Sequence, residues 1–204
     1  MSTIITSIDP GSPAMRAGLQ PGQQLLSING HAVVDVLDYR FYGYDPVSHL
    51  SLKNKDGSTQ KLTIHKAEGE DLGLNFDSYL MDEMRSCANH CIFCFVDQMP
   101  PGMRQTLYFK DDDARLSFLQ GNYITLTNLT EREAQRIIDL RISPINVSVH
   151  TTDPQLHCTM LGNKNAVRSL DYIRAFCKAG IVMNGQIVVC PGWNDGDQLR
   201  RTLR

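Results

Sequence analysis

The stretch that decides the fold is Cys87-Ala88-Asn89-His90-Cys91-Ile92-Phe93-Cys94, running on into Phe95-Val96-Asp97-Gln98-Met99-Pro100-Pro101-Gly102. Three cysteines fall within eight residues, with three and then two residues between them. One short loop can turn all three sulfurs inward, and thiolates are the ligands that iron–sulfur clusters take. A cubane cluster has four irons, so three local cysteines leave one iron without a protein ligand. Two other readings stand beside this one. A structural zinc site needs a closed set of four ligands, with His90 or a distant histidine as the fourth. Zinc motifs usually come as two separated pairs, and no second pair is present in the sequence. The third reading is three cysteines that merely pack.

Composition narrows the setting. A chain of 204 residues is long enough to bury a core in one large domain or two small ones. Hydrophobic content of 42% and charged content of 21% are those of an ordinary globular protein. A formal net charge of −2 gives no electrostatic case for nucleic acid or an anionic membrane. No stretch approaches the ~20 apolar residues of a membrane span, and Met1-Ser2-Thr3-Ile4-Ile5 lacks the regions of a secretion signal. Of the six cysteines, Cys158, Cys177 and Cys190 are scattered singly. That distribution fits a metal site in a reducing cytoplasm better than a disulfide framework. Cys177 falls among apolar helical positions and is expected in the core.

Downstream of the loop, strand and helix patterns alternate. Residues 123–127 and 145–149 are rich in β-branched residues, and residues 181–189 read as a further strand. Thr130-Glu131-Arg132-Glu133 is a capping box ahead of Ala134, Ile137, Ile138 and Leu140 at helical spacing. Residues 166–179 form a second periodic helix, with Gly180 as its stop. Asp111-Asp112-Asp113 opens a helix through Leu116 and Leu119, where acidic residues favour the helix dipole. Strand, helix, strand, helix, strand is the pattern of parallel βαβ units. Period two places Asn146, Ser148 and His150 on one strand face, with Ile145, Val147 and Val149 on the other. Thr125 and Thr127 share a face, as do Asn184 and Gln186. A strand buried on both sides is normally apolar throughout. Polar groups on one face of three neighbouring strands therefore mark a site, expected near the C-terminal strand ends.

Residues 1–66 read as a separate, small β-rich module. A strand over 4–8 stops at Asp9-Pro10-Gly11-Ser12-Pro13, and a helical turn over 14–17 closes on Gly18. A strand over 24–28 ends in the turn dipeptide Asn29-Gly30. A short helix is predicted over 34–42, then a hairpin of 50–53 with 61–64. His31, His49 and His65 are isolated and carry no constellation. The acidic run Ala67-Glu68-Gly69-Glu70-Asp71 is the linker candidate, which divides the chain as 1–66, 67–72 and 73–204.

The module resembles a bacterial PDZ domain through Gly11-Ser12-Pro13-Ala14, Ala17-Gly18-Leu19, Pro21-Gly22-Gln23 and Leu26-Ser27-Ile28-Asn29-Gly30. The resemblance implies recognition of a protein C-terminus or peptide as an added strand, with its carboxylate in a backbone nest. The segment that normally supplies that nest is missing at the N-terminus. Leu72-Gly73-Leu74-Asn75-Phe76 has a similar composition and is the candidate for replacing it by permutation.

The cysteine spacing resembles that of the radical S-adenosylmethionine (radical SAM) superfamily. The fold this implies is α/β, a partial (βα) barrel that residues 73–204 begin and do not complete, so the chain is expected to be an N-terminal fragment. Cys91-Ile-Phe-Cys94-Phe-Val-Asp-Gln-Met-Pro, Leu107-Tyr-Phe-Lys-Asp-Asp-Asp113 and Gly121-Asn-Tyr-Ile-Thr-Leu-Thr-Asn128 resemble one narrower family of iron–sulfur oxidoreductases. Its members join a PDZ-like domain, a radical SAM core and a C-terminal domain of unknown function. The resemblance implies a [4Fe–4S] cluster on Cys87, Cys91 and Cys94, with S-adenosylmethionine chelated at the open iron and an external electron donor. It implies that Phe93 lies near the adenine; the polar strand face read from alternation, with Ser148, His150, Asn184 and Gln186, is then the chamber expected to face the cofactor. The superfamily often carries Gly-Gly-Glu after its second strand; this chain has Thr127-Asn128-Leu129, which makes Thr127 and Asn128 the candidates for that role. Ala114 stands where the narrower family shows an aromatic. The implied activity is reductive cleavage of S-adenosylmethionine to a radical acting on an unknown, protein or peptide, substrate. The rival expectation is a non-enzymatic metal-binding protein, holding an electron-transfer cluster or zinc, with the PDZ-like module recruiting partners.

Overall fold

The structure is a computed structural model that describes residues 3–204; Met1 and Ser2, the start of the stretch read for a secretion signal, lie outside them. The chain divides into two compact units, Met1–Met84 and Arg85–Arg204.

In the first unit, β2 (Gln24–Ile28), β3 (His31–Ala32), β4 (Val47–Lys53) and β5 (Thr59–His65) form an antiparallel sheet in the order β3-β2-β4-β5. Asn29 and Gly30 both take positive φ, +52° and +82°, as the two-residue turn between β2 and β3 requires. Leu25, Ile28, Leu50, Leu52 and Ile64 form the buried face. The helical turn α1 (Pro13–Arg16) is capped by the Ser12 hydroxyl, and Gly18 follows it with φ +80°. Helix α2 (Val36–Tyr42) is capped by Asp35.

The strand expected over 4–8 is shorter than the sequence predicts. It breaks into an isolated antiparallel bridge from Ile4 to Gln24 and the short β1 (Ser7–Ile8), whose antiparallel partner is β6 (Leu74–Asn75). Residues 67–72 therefore do not end this unit. Leu72, Leu74 and Leu80 are buried in it, and the Ala14 N–H donates to the Leu72 carbonyl. Apolar side chains just beyond the acidic run draw the chain back into the core.

In the second unit, β7 (Ile145–Ser148) and β8 (Met183–Gln186) pair in parallel, joined through α5 (Pro154–Leu161) and α6 (Val167–Lys178). Helices α3 (Ala114–Gln120) and α4 (Glu131–Asp139) precede them, and α7 (Gly196–Thr202) follows. Thr130 and Glu133 close the capping box on α4. The strand expected over 123–127 is reduced to one parallel bridge between Ile124 and Val147. Asp112 takes the Thr125 N–H, and Leu126 turns to φ +60°, so the chain leaves the extended region. The expected strand over 181–189 keeps its ladder only at 183–186. Among the described residues the parallel sheet is thus two strands wide with one bridge, and a barrel is not seen. Cys177 is exposed rather than in the core, because the buried stripe of α6 narrows to Phe176 in its last turn. Among the described residues no helix is long and apolar enough to cross a membrane.

Candidate cysteine-loop site

Residues 87–98 contain no strand or helix, so their shape depends on anchors. The His90 and Ile92 N–H groups donate to the carbonyls of Leu161 and Met160, which α5 leaves unpaired in its last turn. The loop reaches them because residue 162 is glycine. A Cβ there would stand 2.3 Å from the His90 carbonyl oxygen, and its φ of +58° is itself unfavourable for other residues.

Beneath the loop lies a buried polar network centred on Asn89, which is 1% exposed. Its amide donates to Thr125 Oγ1 at 3.0 Å, and its Oδ1 accepts from Thr127 Oγ1 at 3.0 Å and Asn163 Nδ2 at 2.8 Å. Thr125 in turn donates its N–H and its hydroxyl to the Asp112 carboxylate, at 2.6 and 2.5 Å. Burial lifts Asp112 to about 6, against these bonds, which favour the anion. The Asn128 amide donates to the Ser86 and Asp112 carbonyls. The acidic run has three separate roles. Asp113 caps α3 and pairs with buried Arg115, Asp112 belongs to the network, and Asp111 accepts from Asn122.

Above the network opens a cavity of about 710 Å3. Cys87, Cys91, Phe93 and Cys94 line it together with Thr125, Ser148, His150 and Gln186. The polar strand face and the cysteine loop thus meet at one place. His150 sits just past β7 with φ +58°, and its Nδ1 accepts the Val188 N–H at 3.1 Å, which leaves the ring proton on Nε2. Burial, helped by His157, pushes its pKa down to about 4, so the ring is a neutral N–H donor. The Phe93 ring meets it edge-on with centroids 4.5 Å apart. The Ser148 hydroxyl points toward Gln186 Oε1 at 3.5 Å. Thr127, Asn128 and Asn184 are not on this wall. The first two belong to the layer behind the loop, and the Asn184 amide donates to Asn146.

The thiols influence one another. Burial, together with Cys87 and Cys94, pushes Cys91 up to about 12, and burial also raises Cys87, with Asp112 adding to it. Three thiolates side by side in a half-buried loop are stable only with cationic charge between them. Among the described residues no three His, Cys, Asp or Glu side chains are already drawn in around one point. The donor set is nevertheless three sulfurs on one cavity wall, which fits a thiolate-bound cluster with an open iron.

Lys110, Asp111 and Asn122 also line the cavity, and sequence reasoning assigned Lys110 no role. The signal for it is the lone basic residue in Leu107-Tyr-Phe-Lys-Asp-Asp-Asp113, next to three conspicuous carboxylates.

A family described as a Radical SAM-like domain matches residues 66–204, the greater part of the chain. The chain belongs to the radical SAM-like family. A PDZ domain matches residues 4–53, so the two occur in the order that the motifs imply. Comparison with curated proteins found no match.

In the PDZ-bearing unit the 72–76 segment has a partner at each edge. β6 pairs with β1, and the hydroxyl of Tyr39 on α2 accepts the Leu74 N–H at 3.2 Å. That hydroxyl donates to Asp71 Oδ1 at 2.8 Å, which also accepts the Gly73 N–H at 2.7 Å. Burial, then Asp71, raises the Tyr39 pKa. A neighbouring hollow of about 280 Å3 is bordered by Tyr39, Tyr44, Asp71 and Leu72. Two backbone donors of the candidate carboxylate nest, the Gly73 and Leu74 N–H groups, are engaged by this unit's own side chains.

Proposed function

We propose that the radical SAM-like unit is an enzyme in which Cys87, Cys91 and Cys94 hold a [4Fe–4S] cluster and the adjoining cavity receives S-adenosylmethionine. The observation that carries this is the convergence of all three cysteines, Phe93 and the polar groups Thr125, Ser148, His150 and Gln186 on one cavity. When bound, the cluster and S-adenosylmethionine would supply one-electron reductive cleavage and hydrogen abstraction from a substrate, with the electron coming from an external donor.

The chain's own residues do the holding. The thiolates bind, and the α5 carbonyls with Gly162 fix the loop that presents them. Phe93 offers an aromatic face for a purine. His150 offers a neutral N–H donor whose tautomer is set by Val188, and Gln186 and Ser148 supply further polar contacts. Thr127 and Asn128 act through Asn89 and Asp112 rather than on the cofactor directly. β7, β8 and the Ile124 bridge are an arc of a parallel (βα) barrel in this reading, and the setting is cytoplasmic. The PDZ domain brings a protein or peptide substrate, whose carboxylate takes the Gly73 and Leu74 N–H groups once Asp71 and Tyr39 release them.

Serine substitution tests the ligand assignment. Cys87→Ser, Cys91→Ser and Cys94→Ser are each expected to reduce bound iron, after anaerobic reconstitution, well below the about four per chain of a cubane. Cys158→Ser and Cys177→Ser are expected to leave it unchanged. Iron that follows Cys158 or Cys177 instead would reject the assignment.

A further inference from the structure

We propose that Lys110 is the positioning residue that closes the cysteine loop and sets the local charge beside its sulfurs, an inference that rests on the cluster reading above. Lys110 holds the loop at three points. Its carbonyl accepts the Cys87 N–H at 2.6 Å. Its ammonium donates to the Asn89 carbonyl at 2.9 Å, and to both oxygens of Asp97 at 3.0 and 3.1 Å. These contacts bracket the cysteines, one at Cys87, one just after it and one just beyond Cys94. The α5 carbonyls fix the middle of the loop through His90 and Ile92, so Lys110 supplies the restraint at the flanks.

The ammonium is also placed to act electrostatically. Its side chain is only 17% exposed and borders the same cavity as the three sulfurs. Asp97, which accepts from that ammonium with both oxygens, follows Cys94 by three residues. A partly buried cation near a cluster favours its more negative, reduced state, and a nearby anion does the opposite. Lysine can span both contacts because its compact ammonium has three donors on a long stem. Methionine matches the stem without the charge.

The test uses the full 204-residue chain in two states. In the metal-free protein, Lys110→Met is expected to speed hydrogen exchange at the Cys87, His90 and Cys94 amides by at least about tenfold, with α6 amides unchanged. Lys110→Arg should restore most of the protection. In the reconstituted protein, the reduction potential should move more negative in Lys110→Met and more positive in Asp97→Asn. Unchanged loop exchange in Lys110→Met, or potentials that fail to move in opposite directions, overturns the assignment. If the wild-type chain assembles no cluster, the cluster reading falls, and the hydrogen-exchange comparison still decides whether Lys110 clamps the loop.

Discussion

At Gly162 a single hydrogen atom separates a formed site from a displaced loop. Gly162→Ala would place a methyl group 2.3 Å from the His90 carbonyl oxygen, in a backbone region that costs a non-glycine residue further strain. The expected outcome is a loss of about 1–3 kcal/mol in urea unfolding, with faster exchange at His90 and Ile92. His150 gives a second prediction, in pH. The folded ring stays neutral down to about pH 4, whereas an unfolded histidine takes up its proton near 6.5. The unfolded state therefore binds more protons in that window. The contribution is fully present above pH 6.5 and is lost as pH falls through 4, up to about 3 kcal/mol. Asp112, raised to about 6 by burial, acts in the opposite direction over this window, so the His150 contribution is read as the difference between wild type and His150→Phe in thermal melts from pH 7 to 4.5, which should shrink as the pH falls. Neither residue's role was legible at the same depth. His150 followed from strand alternation, which also placed Ser148 and Gln186 at the cavity. Gly162 carries no signal of its own, since its importance comes from the carbonyl of His90, far earlier in the chain.

Elements with strong local chemistry were readable, and those held by distant partners were not. The Thr130/Glu133 capping box formed as its spacing predicts, and Glu133 additionally pairs with Arg85. Thr130→Ala should cost about 1 kcal/mol in denaturant unfolding. By contrast, residues 123–127 have strand composition, yet the Asp112 carboxylate takes the Thr125 N–H and the strand shrinks to a bridge. Composition reports what a backbone prefers, and a buried carboxylate eleven or more residues away can override it. The β6 edge shows the same lesson. Leu72-Gly73-Leu74 suggested an open nest, but Asp71 and Tyr39 engage the Gly73 and Leu74 N–H groups. In fluorescence titrations with a peptide ending in a free valine carboxylate, Asp71→Ala is therefore expected to bind more tightly than wild type. The amidated peptide should show no such gain.

For the molecule as a whole, the division between units is set by burial rather than by composition. The acidic run at 67–71 looked like the boundary, yet Leu72, Leu74 and Leu80 belong to the first unit's core. A fragment of residues 1–84 should give dispersed amide spectra and a cooperative melt, whereas 1–66 should not, because it lacks the β6 partner of β1. In the second unit, the parallel pair, the polar strand face and the cysteine loop meet at one cavity, which is the basis for the radical chemistry proposed for it. The most direct measurement is electron paramagnetic resonance on the anaerobically reconstituted, dithionite-reduced chain, before and after S-adenosylmethionine is added. A [4Fe–4S] signal that changes shape on addition, with 5′-deoxyadenosine accumulating afterwards, is the predicted result. Bound zinc, or a cluster signal indifferent to S-adenosylmethionine, would contradict it.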